Sequence, residues 1–260
     1  MDVHDERINS LIGTRRGLPA SDPEANRNIG ASSHHYPGES NMKFMKLRFS
    51  TWNIGSLTGK SSELANLMQR RRIDIMGLQE TKWKGQKSKS LPHGFKLLYN
   101  GSNNKRNGVA IIVSSFMATK IINVTRTNDR IMMIKLALPK LGIWNIISAY
   151  GPQTGCTAEE KAVFWQCLEG LMENIPLNEK KIILSDLNGH VGKNNLLQTP
   201  IHGGFGYGEI NAQGKDILNY ATAHNLAIVN TFFSKQNRHL ITYSSDRHNT
   251  QIDYTVKILS

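Results

Sequence analysis

The sequence predicts an α/β fold of two stacked mixed sheets with helices on their outer faces. Three observations carry this. From residue 46 onward, short apolar runs alternate with amphipathic helical stretches. Several of the runs stop abruptly at a polar residue, as strands do when they leave a core. Apolar residues make up 39% of a 260-residue chain, enough for a sizeable core.

Taken in order, residues 1–45 lack periodicity and contain tracts such as Pro19-Ala-Ser-Asp-Pro-Glu24 and Gly30-Ala-Ser-Ser-His34-His35. They read as a disordered polar leader, with the folded domain at 46–260. Residues 46–54 form a strand and 61–72 an amphipathic helix with Leu64, Leu67 and Met68 on one face. The cations Arg70, Arg71 and Arg72 suit that helix's C-terminus. Strands follow at 73–78 and 95–99, then a polar turn from Asn100 to Gly108 and a strand at 109–113. Strands near 119–124, 131–138 and 143–150 make a meander, 158–174 a helix and 181–185 a strand. Gly203, Gly204, Gly206 and Gly208 form a loop into a helix capped by Asn211, whose core face holds Ile217, Leu218, Tyr220 and Ala221. Strands near 226–231, 240–244 and 251–257 complete the pattern.

The net charge of +12 favours acidic partners such as nucleic acid. Residues 1–45 hold five of the 32 Lys/Arg and six of the 20 Asp/Glu, so the domain carries 27 against 14, a net +13. The cysteines, Cys156 and Cys167, give neither a disulfide framework nor a zinc quartet and read as reduced thiols. The first 30 residues are too polar for a signal peptide, and the most apolar stretch, 109–113, is too short to cross a bilayer. A soluble intracellular protein, nuclear by its charge, is expected.

Chemistry concentrates at the strand ends. Lys181-Ile-Ile-Leu-Ser-Asp186-Leu-Asn188-Gly189 runs from a core strand into a carboxylate, one spacer and a carboxamide. An Asp there can accept a proton from water, and an Asn two residues on can donate hydrogen bonds to a developing oxyanion. Plain turn chemistry favours the same residues. The series continues, however: Trp52-Asn53 closes one strand, Gln79-Glu80 another and Tyr150-Gly-Pro152 a third, with Gln251-Ile-Asp253-Tyr254 near the end.

These five ordered motifs, over about residues 46–257, resemble the endonuclease/exonuclease/phosphatase superfamily. Gly108-Val-Ala-Ile-Ile112, Asn128-Asp-Arg-Ile131 and the tract from Asn211 to Phe233 are similar to a subgroup: the endonuclease domain of RTE-type non-LTR retrotransposons and craniofacial development protein 2-like proteins. The resemblance implies a four-layer α/β/β/α sandwich of two mixed, mainly antiparallel sheets. It also implies Mg2+, with Mn2+ the alternative, held at a metal site of Glu80 and Asn53, the latter supplying a carboxamide oxygen or a hydrogen bond. Asp186 would orient or deprotonate the attacking water, Asn188 would hydrogen-bond the phosphate and Tyr150 would touch it through its hydroxyl. Asp253 would fix the tautomer of a catalytic His.

That His has no counterpart before Ser260, and the family's final strand is likewise missing. His190 and His248 read as exposed loop residues. Gly55 stands where many relatives place Asp, and Tyr243 where they often carry Trp. An incomplete sheet would expose strand edges and make a marginal, aggregation-prone protein.

After Glu80, the run Lys82-Trp83-Lys84-Gly-Gln-Lys87-Ser-Lys89 sets four lysines around one indole, and Lys105-Arg106 extends the cations into the next turn. Such a loop can neutralise phosphates while the indole packs on sugar or base, or can be a solvated flexible loop. The expected partner is DNA, bound with little or no sequence preference, since phosphate contacts position without specifying. The leading expectation is a Mg2+-dependent DNA endonuclease of retroelement origin, impaired by the absent segment. A catalytically dead nucleic-acid-binding remnant, or a phosphatase or deadenylase sharing the core motifs, are the alternatives.

Overall fold

The computed structural model describes residues 11–12 (backbone only), 46–193, 199–245 and 248–259. In chain order the elements are β1 (Leu11–Ile12), β2 (Phe49–Asn53), α1 (Ser61–Arg71), β3 (Ile75–Gln79), β4 (Ser88–Ser90), β5 (Lys96–Asn100), β6 (Val109–Val113) and α2 (Ser115–Ala118). There follow β7 (Ile121–Asn128), β8 (Ile131–Leu138), β9 (Gly142–Tyr150), α3 (Ala158–Glu173), β10 (Lys180–Asp186) and α4 (Ala212–Ala223). The described chain closes with β11 (Leu226–Ile228), α5 (Asn237–Leu240), β12 (Tyr243–Ser245), β13 (His248–Thr250) and β14 (Asp253–Ile258).

Two six-stranded sheets stack face to face, ordered β1-β2-β3-β6-β5-β4 and β11-β14-β10-β9-β8-β7. Pairing is parallel at β1/β2, β2/β3 and β9/β10 and antiparallel elsewhere in both sheets. Strand alternation explains the layers. One set of side chains (Phe49, Ile75, Ile111, Ile134, Ile146, Leu184) fills the space between the sheets. The alternate set on the first sheet (Met76, Leu78, Ile112) packs under Leu64 and Met68 of α1. On the second sheet, Ile147, Ile183 and Val256 pack under Phe164 and Leu168 of α3 and Ile217 of α4. The four-layer α/β/β/α sandwich is therefore the observed architecture.

Local chemistry sets the helix ends. Thr157 and Glu160 form a reciprocal capping box at α3. Asn211 caps α4 by accepting the Gly214 amide at 2.8 Å, as the sequence predicts. Ile217 and Ala221 are buried on that helix, whereas Leu218 and Tyr220 are only half-buried. At α1, Arg72 closes the helix in the left-handed region, φ 54°.

Four expectations need correction. Leu11–Ile12, inside the segment read as a disordered leader, pairs as an edge strand with Ser50 and Thr51; the rest of 1–45 lies outside the described residues. The strand near 226–231 ends at Ile228 and gives way to a 3-10 turn, Val229–Phe232. Its cause is side-chain competition: Thr231 Oγ1 donates to the Ile228 carbonyl at 2.7 Å, while Asn230 Oδ1 takes the Thr255 amide at 2.8 Å. The strand near 240–244 starts instead as α5, anchored by buried Leu240, and β12 pairs only with β13 in a separate hairpin. The stretch 87–90, read as loop, holds edge strand β4.

The sheets approach closely at Gly77, where a Cβ would lie 2.6 Å from the Leu184 Cβ across the interface. Gly77→Ala should therefore destabilise the fold by about 1–3 kcal/mol, the usual cost of overpacking. Urea unfolding measures it, and an unchanged midpoint would mean that the sheets separate freely.

Candidate active site

Asn53, Gln79, Tyr150 and Asp186 each continue the inward-facing alternation of their strands, so all four reach the gap between the sheets at one end of the sandwich. Asp253 is the register partner of Asp186 on the adjacent strand and shares its face. Glu80 follows Gln79 in the left-handed region, φ 54°, and Asn188 follows Asp186 at φ 51°. Backbone strain of this kind gathers at functional sites.

Asn53 links the two sheets. Its carboxamide nitrogen donates to Glu80 Oε1 at 2.9 Å and to Asp186 Oδ2 at 2.7 Å, while its oxygen accepts the Gly55 amide at 3.1 Å. The side chain thus supplies hydrogen bonds to carboxylates; its oxygen is already engaged. Tyr150 is buried and its hydroxyl donates to Glu80 Oε1 at 2.6 Å, while accepting from Gln153 Nε2 at 2.9 Å. Asp186 is fully buried, and its Oδ1 accepts the Asn188 amide at 3.0 Å. The Asn188 carboxamide donates to the Gly151 carbonyl at 2.9 Å, tying the ends of β9 and β10 together. The buried Asp253 amide donates to Thr242 Oγ1 at 3.2 Å, which seats the β12/β13 hairpin beside it.

Sequence reasoning missed three residues. Gln79 is fully buried beneath the site; it accepts from Thr51 Oγ1 at 3.2 Å and donates to Ser148 Oγ at 3.3 Å and the Leu184 carbonyl at 3.1 Å. A polar side chain ending a core strand was the available signal. Arg130, in the quoted Asn128-Asp-Arg tract, lies over the Tyr150 ring at 5.0 Å and donates to the Tyr150 and Gly151 carbonyls. Gln153, just past Pro152, positions the Tyr150 hydroxyl.

The basic segment is more ordered than a flexible loop. Lys82 Nζ lies 3.6 Å from Glu80 Oε2, and the Lys82 amide bonds the Asn107 carbonyl. That ladder brings the Lys82–Lys89 and Lys105–Arg106 segments side by side. Lys84, Lys87, Lys89, Lys105 and Arg106 are exposed. The Trp83 indole packs edge-on against Tyr99 with centroids 5.2 Å apart, donates to Thr58 Oγ1 at 3.1 Å and lies 5.8 Å from Lys89 Nζ. Much of its surface is thus occupied by the protein.

Of the two histidines considered, His190 is half-buried rather than exposed, and burial lowers its pKa. The His248 side chain lies outside the described residues. Burial, aided by the Asp253 and Asp186 charges, pushes the Tyr254 phenol far above its ordinary value. It therefore stays a neutral donor, 2.6 Å from the Gln251 carbonyl and 3.1 Å from that of Gly189, bracing the loop behind Asp186.

The donor set at this end is oxygen-rich. Among the described residues no three His, Cys, Asp or Glu side chains cluster as a metal cage. Glu80, its side chain 12% exposed, suits a hard cation that keeps most of its water and needs one or two carboxylates.

Strand-end carboxylates and amides of both sheets thus meet in one gap of a two-sheet sandwich. Residues 50–232 match the profile of the Endonuclease/Exonuclease/phosphatase family, and the chain belongs to that family. It is 30% identical over 209 residues to craniofacial development protein 2 of Bos taurus and of Tragulus javanicus. Those alignments cover 79% of this chain but 35% and 36% of those proteins, so the chain spans about a third of their length. Among solved structures, an AP endonuclease from Archaeoglobus fulgidus has a TM-score of 0.55 at 17% identity, covering 81% of this chain and 86% of that one. A 3′ phosphatase from Neisseria, bound to a product DNA hairpin, has a TM-score of 0.56 at 17% identity with the same coverage. These structural likenesses bear on the fold.

Two outcomes are expected from this geometry. Asn53→Asp would set a third carboxylate against Glu80 and Asp186, costing roughly 3–5 kcal/mol at neutral pH, as an uncompensated buried charge does. Like-charge repulsion raises carboxyl pKa values in the folded state, so the deficit should shrink as pH falls through the carboxylate range. Urea midpoints at pH 8 and pH 5 would show it; a pH-independent deficit would mean that the charges are not coupled. Buried His202 accepts the Gly204 amide at Nδ1 (3.0 Å) and lies with Nε2 3.2 Å from the Gly192 carbonyl, so it is neutral, and burial lowers its pKa. The unfolded chain then binds the extra proton. Stability should be full above about pH 6.5, the ordinary His value, and decline below it. His202→Gln should flatten that decline in thermal melts.

Proposed function

We propose that this chain hydrolyses phosphodiester bonds in DNA as a divalent-metal-dependent endonuclease. The observation that carries the reading is Asn53, whose one nitrogen bridges Glu80 from the first sheet and Asp186 from the second. No packing requirement of a core explains two carboxylates drawn together between sheets. Glu80 would hold Mg2+, or Mn2+, and a bound ion would supply positive charge to the phosphoryl and leaving oxygens. Tyr150, steadied by Gln153 and Arg130, fixes the Glu80 carboxylate. Asp186, oriented by Asn53 and the Asn188 amide, accepts the proton of the attacking water. The second amide hydrogen of Asn188 would meet a phosphate oxygen. The exposed cations of residues 82–89 and 105–106 would hold the flanking phosphates, with little dependence on sequence.

Support also comes from the DNA in the Neisseria 3′ phosphatase structure, a protein of the same fold. The subgroup tracts further suggest descent from an RTE-type retroelement, and a DNA substrate would place the protein in the nucleus. Among the described residues no helix is long and apolar enough to cross a membrane.

Supercoiled plasmid tests the proposal. Purified chain with Mg2+ or Mn2+ should nick it; EDTA should stop the reaction, and Asp186→Ala should slow it by about 10²–10⁴-fold, the span of a lost general base. Plasmid binding without nicking in either metal would establish a binding remnant instead.

A further inference from the structure

A second surface leaves the site on the side opposite the lysine-rich segment. From Asn188 the chain runs through Gly192, whose carbonyl faces Gly206, and the Gly192 backbone also touches Ile210. The Phe205 amide bonds the Thr231 carbonyl at 2.9 Å, and Gly203 packs against Phe232. Two loops, 199–210 and 229–236, are thereby fastened to each other and to the loop behind Asp186 by backbone contacts. On this frame Phe205, Ile210, Phe232 and Phe233 are 36%, 37%, 40% and 45% exposed. These are four of the seven large exposed hydrophobic residues found among the described residues, gathered in two neighbouring loops.

Charge narrows the occupant. Between Asp216 and Asp246 the sequence has no Asp or Glu, but it has Lys235 and Arg238; Glu209 is the one carboxylate in residues 188–211, which also carry Lys193. Lys193 and Arg238 are exposed. Lys235 Nζ lies 6.0 Å from the Phe233 ring centroid, a cation beside an open aromatic face. Aromatic rings that are held rigidly, open to solvent and flanked by cations are the components that bind nucleic-acid strands by stacking on bases and neutralising phosphates. A paired duplex offers its bases no such access. An apolar protein partner would need no cations, and an acidic one no rings.

We propose that loops 199–210 and 229–236 bind an unpaired stretch of DNA continuous with the strand at the Asp186 site, with Phe205 and Phe233 stacking on its bases and Lys193, Lys235 and Arg238 meeting its phosphates. This inference rests on the reading of the chain as acting on DNA, and it narrows that substrate to DNA with a single-stranded or opened segment. Phe232, whose backbone packs on Gly203, serves mainly to shape the platform.

The test compares the full chain with Phe205→Ala/Phe233→Ala and with Phe233→Trp, using fluorescein-labelled oligo(dT) and a blunt duplex of equal length, by anisotropy in EDTA. Both phenylalanines are partly exposed, so melting temperatures should stay within a few degrees of the parent; a large drop would show them to be core residues and overturn the proposal. The double variant should lose about 100-fold in affinity for oligo(dT), about 10-fold per ring. Duplex affinity should stay within about twofold, and Phe233→Trp should bind oligo(dT) at least as tightly as the parent. Equal losses on both ligands, no loss on either, or no binding of oligo(dT) by the parent would each overturn it. So would concentration-dependent dimers abolished by the double variant while DNA affinity is unmoved, which would assign the surface to a second copy. Because EDTA removes hydrolysis from the measurement, ring-dependent oligo(dT) binding by a chain that never nicks plasmid would keep this surface and discard the nuclease reading. Nicking with ring-independent binding would do the reverse.

Discussion

The hydrogen bonds from Asn53 to Glu80 and Asp186 govern the rest of this molecule's active end. Two carboxylates that each lie about 3 Å from one nitrogen are within roughly 5 Å of each other. At an effective dielectric constant near 20 such a pair repels by about 3 kcal/mol. A neutral donor between them offsets that with two charge-assisted hydrogen bonds, each worth about 1.5–3 kcal/mol. The arrangement therefore holds only while the sheets keep Asn53 in place. Directly beneath, Gln79 ties Thr51 to Ser148 and the Leu184 carbonyl, and Gly77 lets the backbones approach. The buried polar ladder is the scaffold of the site.

Loop geometry completes what the strands begin. Strict alternation would send the residue after Gln79 to the outer face of the first sheet. The left-handed backbone at Glu80 reverses this, at a cost of about 1–2 kcal/mol for a residue that is not glycine. Asn188 takes the same conformation at less cost, since Asn enters the left-handed region more readily than most residues, and its carboxamide ties the loop to the Gly151 carbonyl at the end of β9. Gly108 and Gly151 sit where a Cβ would run into Thr81 and Leu187. The loops that carry Glu80 and Asn188 thus lie directly on neighbouring backbone, which limits how far either side chain can drift.

Much of this was legible in the sequence, for identifiable reasons. Core strands such as Val109–Val113 announce themselves by unbroken apolar runs, and Asn211 by its place before an amphipathic stretch. Strand ends that stop at Asn53, Tyr150 and Asp186 point to a shared rim because alternation fixes their faces, whereas Glu80 joins it through its left-handed backbone. Illegible were features set by contacts distant in sequence. Nothing local tells that Gln79 spans to Leu184, that Arg130 lies on Tyr150, or that Trp83 is turned inward onto Tyr99 and Thr58. The short helix Asn237–Leu240 was missed because one turn has too few positions to display a period. The turn at Val229–Phe232 was missed because its apolar composition is that of a strand, while the Thr231 and Asn230 side chains redirect the backbone.

The two sides of the mouth differ in chemistry, and the difference bears on specificity. On the lysine side four of the carboxamides, side chains of the kind suited to reading base edges, are engaged internally. Asn100 donates to the Asn128 carbonyl, Asn128 accepts the Arg130 amide, Asn103 accepts the amides of Lys105 and Arg106, and Asn107 donates to Asp129. Their role is to hold the turn that presents Lys105 and Arg106. The charged groups exposed there, Lys84, Lys87, Lys89, Lys105 and Arg106, are cationic, and phosphate contacts carry no sequence information. On the opposite side the exposed groups are aromatic, and every base offers a π-face. Neither the phosphate contacts nor the stacking contacts distinguish one base from another. For a DNA substrate, selection would fall to the shape and openness of the strand passing between Glu80 and Asp186, because a duplex that resists opening cannot use both sides together.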